Sequence, residues 1–140
     1  MSLEYNKIVV ARIYTEVNDA QQYDVLDEIC QPDIIIHDPL TGDTQGLEAY
    51  KGLFAFFRQG FPAQRTELRQ FVAEGDYVAL LHTHHAHNNG SFNGIPPTGR
   101  QVVVPGLELF RLKDGKIAEF WRFDADLSLM MQLGAVPAIA

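Results

Sequence analysis

The feature that most constrains this chain is a change of hydrophobic period near its midpoint. Up to about residue 60, apolar residues recur at helical spacing; from Thr66 to Phe123 the sequence is almost continuous strand, broken only by turn signals. The expected strands are 66–73, 77–87, 101–112 and 116–123. They are separated by Glu74-Gly75-Asp76, by a Gly-, Asn- and Pro-rich loop over His87–Gly99, and by Lys113-Asp114-Gly115. Strands joined this way form an antiparallel sheet that needs cover on one face. The first half supplies that cover. A helix over 4–17 carries Ile8, Val9, Ile13, Tyr14 and Val17, and a shorter one over about 22–30 stops before Pro32. The β-branched run Asp33–Asp38 is a short strand. A helix from Thr44 or Gln45 to about Gln59 then presents Leu47, Tyr50, Leu53, Phe54 and Phe57, and a closing helix over about 126–133 ends at Gly134. Helices first and a strand meander second is an α+β order. With no repeat or linker, residues 1–140 read as one domain: a cone-shaped, curved antiparallel sheet wrapped on N-terminal helices, large enough for a core and a cavity.

A formal net charge of −7 argues against nucleic acid and anionic membrane surfaces as partners. No apolar run approaches the roughly 18 residues of a membrane span, and no basic-then-apolar stretch marks a signal peptide, so a cytoplasmic protein is expected. The single cysteine, Cys30, excludes an intrachain disulfide and reads as a small buried hydrophobe. Gly-rich phosphate loops and dinucleotide motifs are absent, so no cofactor is expected.

Four segments carry a family resemblance: Pro32-Asp33-Ile34-Ile35-Ile36-His37-Asp38-Pro39, Glu74-Gly75-Asp76-Tyr77-Val78-Ala79, Gly94-Ile95-Pro96-Pro97-Thr98-Gly99-Arg100, and Phe110 through Trp121; Gln132-Leu133-Gly134 closes the pattern. In this order they resemble the SnoaL-like polyketide cyclases, within the nuclear transport factor 2-like superfamily that also holds ketosteroid isomerase. The resemblance covers nearly the whole chain. It implies an α+β barrel with an internal small-molecule pocket, and leaves the reaction open among cyclases, isomerases, hydrolases and plain binding proteins.

It also implies candidate residues. Asp38-Pro39 resembles the ketosteroid isomerase segment whose aspartate shuttles the proton. Tyr14 falls where that enzyme keeps an oxyanion tyrosine, and Glu108 where it keeps a protonated aspartate. Such a trio supports enolisation, in which a carboxylate removes a proton next to a carbonyl while tyrosine and a neutral acid hold the oxyanion. SnoaL-like cyclases carry their base four residues after the tryptophan of the last strand. Here that position is Ala125, flanked by Asp124 and Asp126, and neighbours on a strand point to opposite faces.

His82 and His84 share a strand face with Val78, Leu80 and Ala86, where they read as structural histidines with satisfied partners or as groups that line the pocket or transfer a proton. Two histidines at this spacing bind a metal only if a third ligand such as His37 or Glu108 arrives; no third inward ligand is evident, so a metal-free pocket is expected. His37 and Asp38 should face opposite ways. Tyr50, Phe54, Phe57 and Trp121, with Phe92 and Leu107 or Leu109, are further wall candidates. Of the acids, Asp38 or Glu108 is expected nearest the ligand, with burial raising the pKa of Glu108.

The leading functional expectation is a small cofactor-independent enzyme, cyclase- or isomerase-like, abstracting a proton next to a carbonyl of an apolar small molecule. The alternative is a non-catalytic binding protein of the same fold. Apolar residues on both sheet faces lead to a homodimer, with Leu81, His85 and Arg122 on the outer face.

Overall fold

The computed structural model describes residues 2–139. Helix α1 (Leu3–Arg12) starts at Ser2, whose hydroxyl accepts the Tyr5 N–H at 3.0 Å. The expected regular helix does not continue to Val17. From Ile13 to Asp19 the chain winds as a π-helix, which places Ile13, Tyr14 and Val17 in the interior. Then follow α2 (Val25–Ile29), β1 (Cys30–His37), a two-residue strand β2 (Thr44–Gln45), and α3 (Leu47–Gly60). The second half is β3 (Gln64–Glu74), β4 (Tyr77–His87), β5 (Gln101–Lys113), β6 (Lys116–Trp121) and α4 (Asp126–Gln132).

The six strands form one curved, unclosed sheet in the order β2-β1-β6-β5-β4-β3. The meander β3–β6 is antiparallel throughout, as the turn signals require. The expectation of a wholly antiparallel sheet needs one correction, because β1 lies parallel to β6. A parallel pair needs a long crossover, and the whole of α3 and β3–β5 separates these two strands. Register shifts at Leu68/Gln70 and Arg111/Leu112 add local twist and bend the sheet.

Burial alternates along the strands, most regularly on β5, where Val102, Val104, Gly106, Glu108, Phe110 and Leu112 face inward. Two apolar clusters fill the interior. One joins Val10, Val17, Leu26, Ile34, Tyr50, Leu80, Phe110 and Ile117; the other, at the α4 end, joins Phe61, Ala86, Phe92, Val102, Val104, Leu129 and Leu133. Between them the sheet and helices leave a cleft of about 720 Å³, its open mouth included.

Candidate active site

Strand alternation puts five polar side chains on the inner face of the sheet. β4 contributes His82 and His84, β5 contributes Glu108, and the segment after β6 contributes Arg122 and Asp124, which continue the inward phase of Phe120. Register brings them together. Leu80 pairs with Glu108 and His82 with Gly106, and Gly106 also bridges to Asp124. Gly106 is what makes room. A Cβ there would overlap Asp124 Oδ1 and come within 2.8 Å of His82 Cε1, so the Asp124 carboxylate fills the space of a missing side chain.

The resulting cluster is tight and buried. The Tyr14 hydroxyl donates to Glu108 Oε1 at 2.9 Å. His82 Nε2 lies 2.6 Å from Glu108 Oε1 and 3.3 Å from Asp124 Oδ1, between the two rather than aimed at either, and its Nδ1 has no partner. Asp124 Oδ2 stands 3.2 Å from Arg122 Nε and 3.9 Å from His84 Nε2. Arg122 also meets Asp38 at 3.2 Å and Asp126 at 2.7 Å, and its guanidinium lies over the Phe57 ring at 4.4 Å. Among the described residues, Glu108 Oε2 and the Tyr50 hydroxyl have no hydrogen-bond partner and are buried.

These surroundings move the groups apart. Burial, then the charge of Asp124, raises the Glu108 pKa. Asp124 goes the other way: burial opposes its charge, but His82 beside it and the charge of Arg122 win and lower it. Burial likewise opposes charge on His82, yet Asp124 and Glu108 together lift it to about 9. His84 is pushed down to about 4, chiefly by burial. Burial and the neighbouring Glu108 raise Tyr14, so it stays a phenol and a donor.

The cleft has this polar group as one wall, with Tyr14, His84, Glu108, Arg122 and Asp124 reaching it. Leu53, Phe54, Phe57, Phe61 and Leu129 are among its apolar walls, and Tyr50 lines it too. Several sequence expectations are placed elsewhere. Asp38 does not line the cleft. It caps the turn after β1, accepting the Leu40 N–H at 2.8 Å and the Thr41 N–H at 3.3 Å, and pairs with Arg122. His37 faces the opposite side of the sheet from Asp38, as alternation requires. It pairs there with Glu119 at 2.7 Å and Asp43 at 3.0 Å, and stacks on Trp121 at 5.1 Å, so neither His37 nor Trp121 reaches the cleft. Leu107 is exposed on that outer face, and Phe92 packs in the core behind Phe57 and Phe61. Arg122 was expected on the outer face; it is buried on the inner one, because the alternation of β6 carries through it.

The expectation that no further ligand joins His82 and His84 is also corrected. One atom each of His82, His84, Glu108 and Asp124 lie within 4.8 Å of one another, a donor set of the kind divalent transition metals accept. Of these four residues, Asp124 is already paired with Arg122 and Glu108 accepts the Tyr14 hydroxyl.

The sequence profile of a family described as SnoaL-like polyketide cyclase matches residues 8–133. Among solved structures, a protein from Jannaschia sp. CCS1 to which a SnoaL-like polyketide cyclase role is ascribed is similar with a TM-score of 0.88 and 28% identity, covering 96% of this chain and 94% of that one. AclR from Streptomyces galilaeus, for which a hydroxylase role is suggested, gives 0.86 and 27%, covering 99% and 87%. IdmH from Streptomyces antibioticus, for which a polyketide cyclase role is suggested, gives 0.80 and 28%, covering 92% and 98%. No curated protein matches the chain.

Proposed function

This chain belongs to the SnoaL-like polyketide cyclase family, and from that premise we propose that it closes a ring, or shifts a double bond, in an apolar carbonyl compound by proton transfer at the carbon next to the carbonyl. The observation that carries this reading is one site holding two carboxyl groups whose surroundings drive their pKa values in opposite directions, Asp124 down and Glu108 up. One is suited to remain a carboxylate, the other to keep a proton.

Each group then has a role. Asp124 takes the proton from the substrate carbon, and the electrons of the broken C–H bond move onto the carbonyl oxygen. The proton of Glu108 and the Tyr14 hydroxyl, both buried at the inner end of the cleft, hold that oxyanion. The enolate carbon attacks a second carbonyl of the same molecule, forming the ring bond, and the new alkoxide takes a proton back from the Asp124 carboxyl group. Returning the proton to another carbon instead gives an isomerisation. The low pKa of Asp124 makes that return favourable, and His82, held protonated beside Asp124, balances the charge of that carboxylate. The Phe54, Phe57 and Leu53 walls suit a flat, apolar substrate.

The competing reading is a binding protein. It is favoured by the same low Asp124 pKa, which makes that carboxylate a weak base. The two separate in heavy water with the bicyclic ketone 2-tetralone as probe. An enzyme accelerates deuterium exchange at the carbon beside the carbonyl; saturable binding without acceleration selects the binding protein. The functional unit is a homodimer, supported by Tyr77, Leu81, Val103, Leu107 and Phe123, all exposed and apolar.

A further inference from the structure

Thr66 on β3 connects two groups that the chemistry above does not use. Its hydroxyl lies 2.8 Å from Asp19 Oδ1 and 2.9 Å from His84 Nδ1. The Asp19 carboxylate acts only as an acceptor in this contact set: it also takes the Thr66 N–H at 2.8 Å and the Asn18 amide at 3.0 Å. The single hydroxyl hydrogen of Thr66 therefore goes to Asp19, and its oxygen lone pairs face Asn18 Nδ2 at 3.3 Å and His84 Nδ1. Nδ1 must then carry a hydrogen, and in the neutral ring Nε2 is left with a bare lone pair.

Among the described residues no donor lies within hydrogen-bond range of that lone pair. The polar atom facing it is Asp124 Oδ2 at 3.9 Å, beyond hydrogen-bond range and itself an acceptor. Both residues line the cleft. Two acceptors face one gap, and the donor must come from what binds there.

We propose that Asp19 and Thr66 fix His84 as its Nδ1–H tautomer, so that Nε2 selects substrates carrying a phenol or enol hydroxyl beside the reacting carbon. The hydroxyl donates to Nε2, which turns the neighbouring C–H bond toward Asp124. His84 is thus a specificity-determining residue, and Asp19 and Thr66 are positioning residues acting through it. The depressed pKa of His84 agrees, since a neutral ring is needed to accept. The inference rests on the reading of the cleft as a substrate site but not on turnover, so it is tested by binding and spectroscopy alone.

Nitrogen-15 NMR of the wild-type protein at neutral pH should show His84 with its hydrogen on Nδ1 and a bare Nε2; the opposite tautomer, or a doubly protonated ring, overturns the proposal whatever the variants do. In NMR titrations, the preference for 2-naphthol over the isosteric 2-methylnaphthalene should fall about tenfold in His84→Phe and in Thr66→Val, the size of one hydrogen bond. Thr66→Ser keeps the hydroxyl and should keep the preference. A preference equal in wild type and His84→Phe overturns the proposal. Loss of tetralone exchange with the naphthol preference intact would instead strike the catalytic reading and leave this one standing.

Discussion

Raising the pH from about 6 to about 10 should cost this protein about 3 kcal/mol of stability through His82 alone. The side chain is fully buried between Glu108 and Asp124, and those two carboxyl groups lift its pKa from 6.5 to about 9. At about 1.4 kcal/mol per pH unit, that gap is worth about 3 kcal/mol. The folded-state pKa lies above the unfolded one, so the contribution is complete below pH 6.5 and is lost as pH climbs through about 9. Glu108 changes stability in the same direction, because its pKa is also raised, but from the unfolded value of 4.5 upward. Comparison with His82→Gln reads the histidine together with its pull on Glu108, whose pKa it lowers. The assay is urea denaturation of both proteins across this pH range. With a slope of about 1–3 kcal/mol per molar, the wild-type midpoint should drop by roughly 1–3 M more than that of the variant. Parallel declines, or a His82 NMR titration with its midpoint at or below 6.5, would refute the argument that the two carboxyl groups share a charged imidazole.

The other expectations follow from neighbouring contacts. Gly106→Ala drives a methyl into the space of Asp124 Oδ1; it should lower stability by about 1–3 kcal/mol in denaturation and abolish exchange of the tetralone probe. Arg122→Met leaves Asp38 and Asp124 buried without their shared cation and should cost about 3–5 kcal/mol by the same assay. Leu107→Asp, on the exposed outer face, should convert a sedimenting dimer to a monomer without changing ligand binding; a wild-type monomer at micromolar concentration would remove the proposed interface.

The fold was legible in the sequence because its signals are local. Glu74-Gly75-Asp76 and Lys113-Asp114-Gly115 turn where they should, and the period of β4 alone assigned His82 and His84 to the interior. The parallel contact of β1 with β6 was not legible, since it joins segments some 80 residues apart and no local pattern encodes it. The site was half legible. Tyr14, Glu108, His82 and His84 could be counted onto inward faces, but which of Asp38 and Asp124 lines the cleft could not. Asp38 caps its own turn, while Asp124 reaches the cleft by continuing the alternation of Phe120 and Arg122 past the end of β6. That alternation also reveals Arg122 as inward, and carrying the strand phase of Phe120 on to positions 122 and 124 would have found both. Gly106, and the Asp19–Thr66 pair behind His84, left no sequence signal, because their effect depends on which strands lie side by side.

In the proposed reaction Asp124, rather than Asp38, takes the proton. The direct test is the rate of deuterium exchange into 2-tetralone catalysed by wild type, Asp124→Asn and Asp38→Asn, each checked for folding. Loss of a general base costs about 10²-fold or more, so Asp124→Asn should slow exchange by at least that factor, while Asp38→Asn stays within a few-fold of wild type. Exchange that survives in Asp124→Asn and disappears in Asp38→Asn would contradict the account.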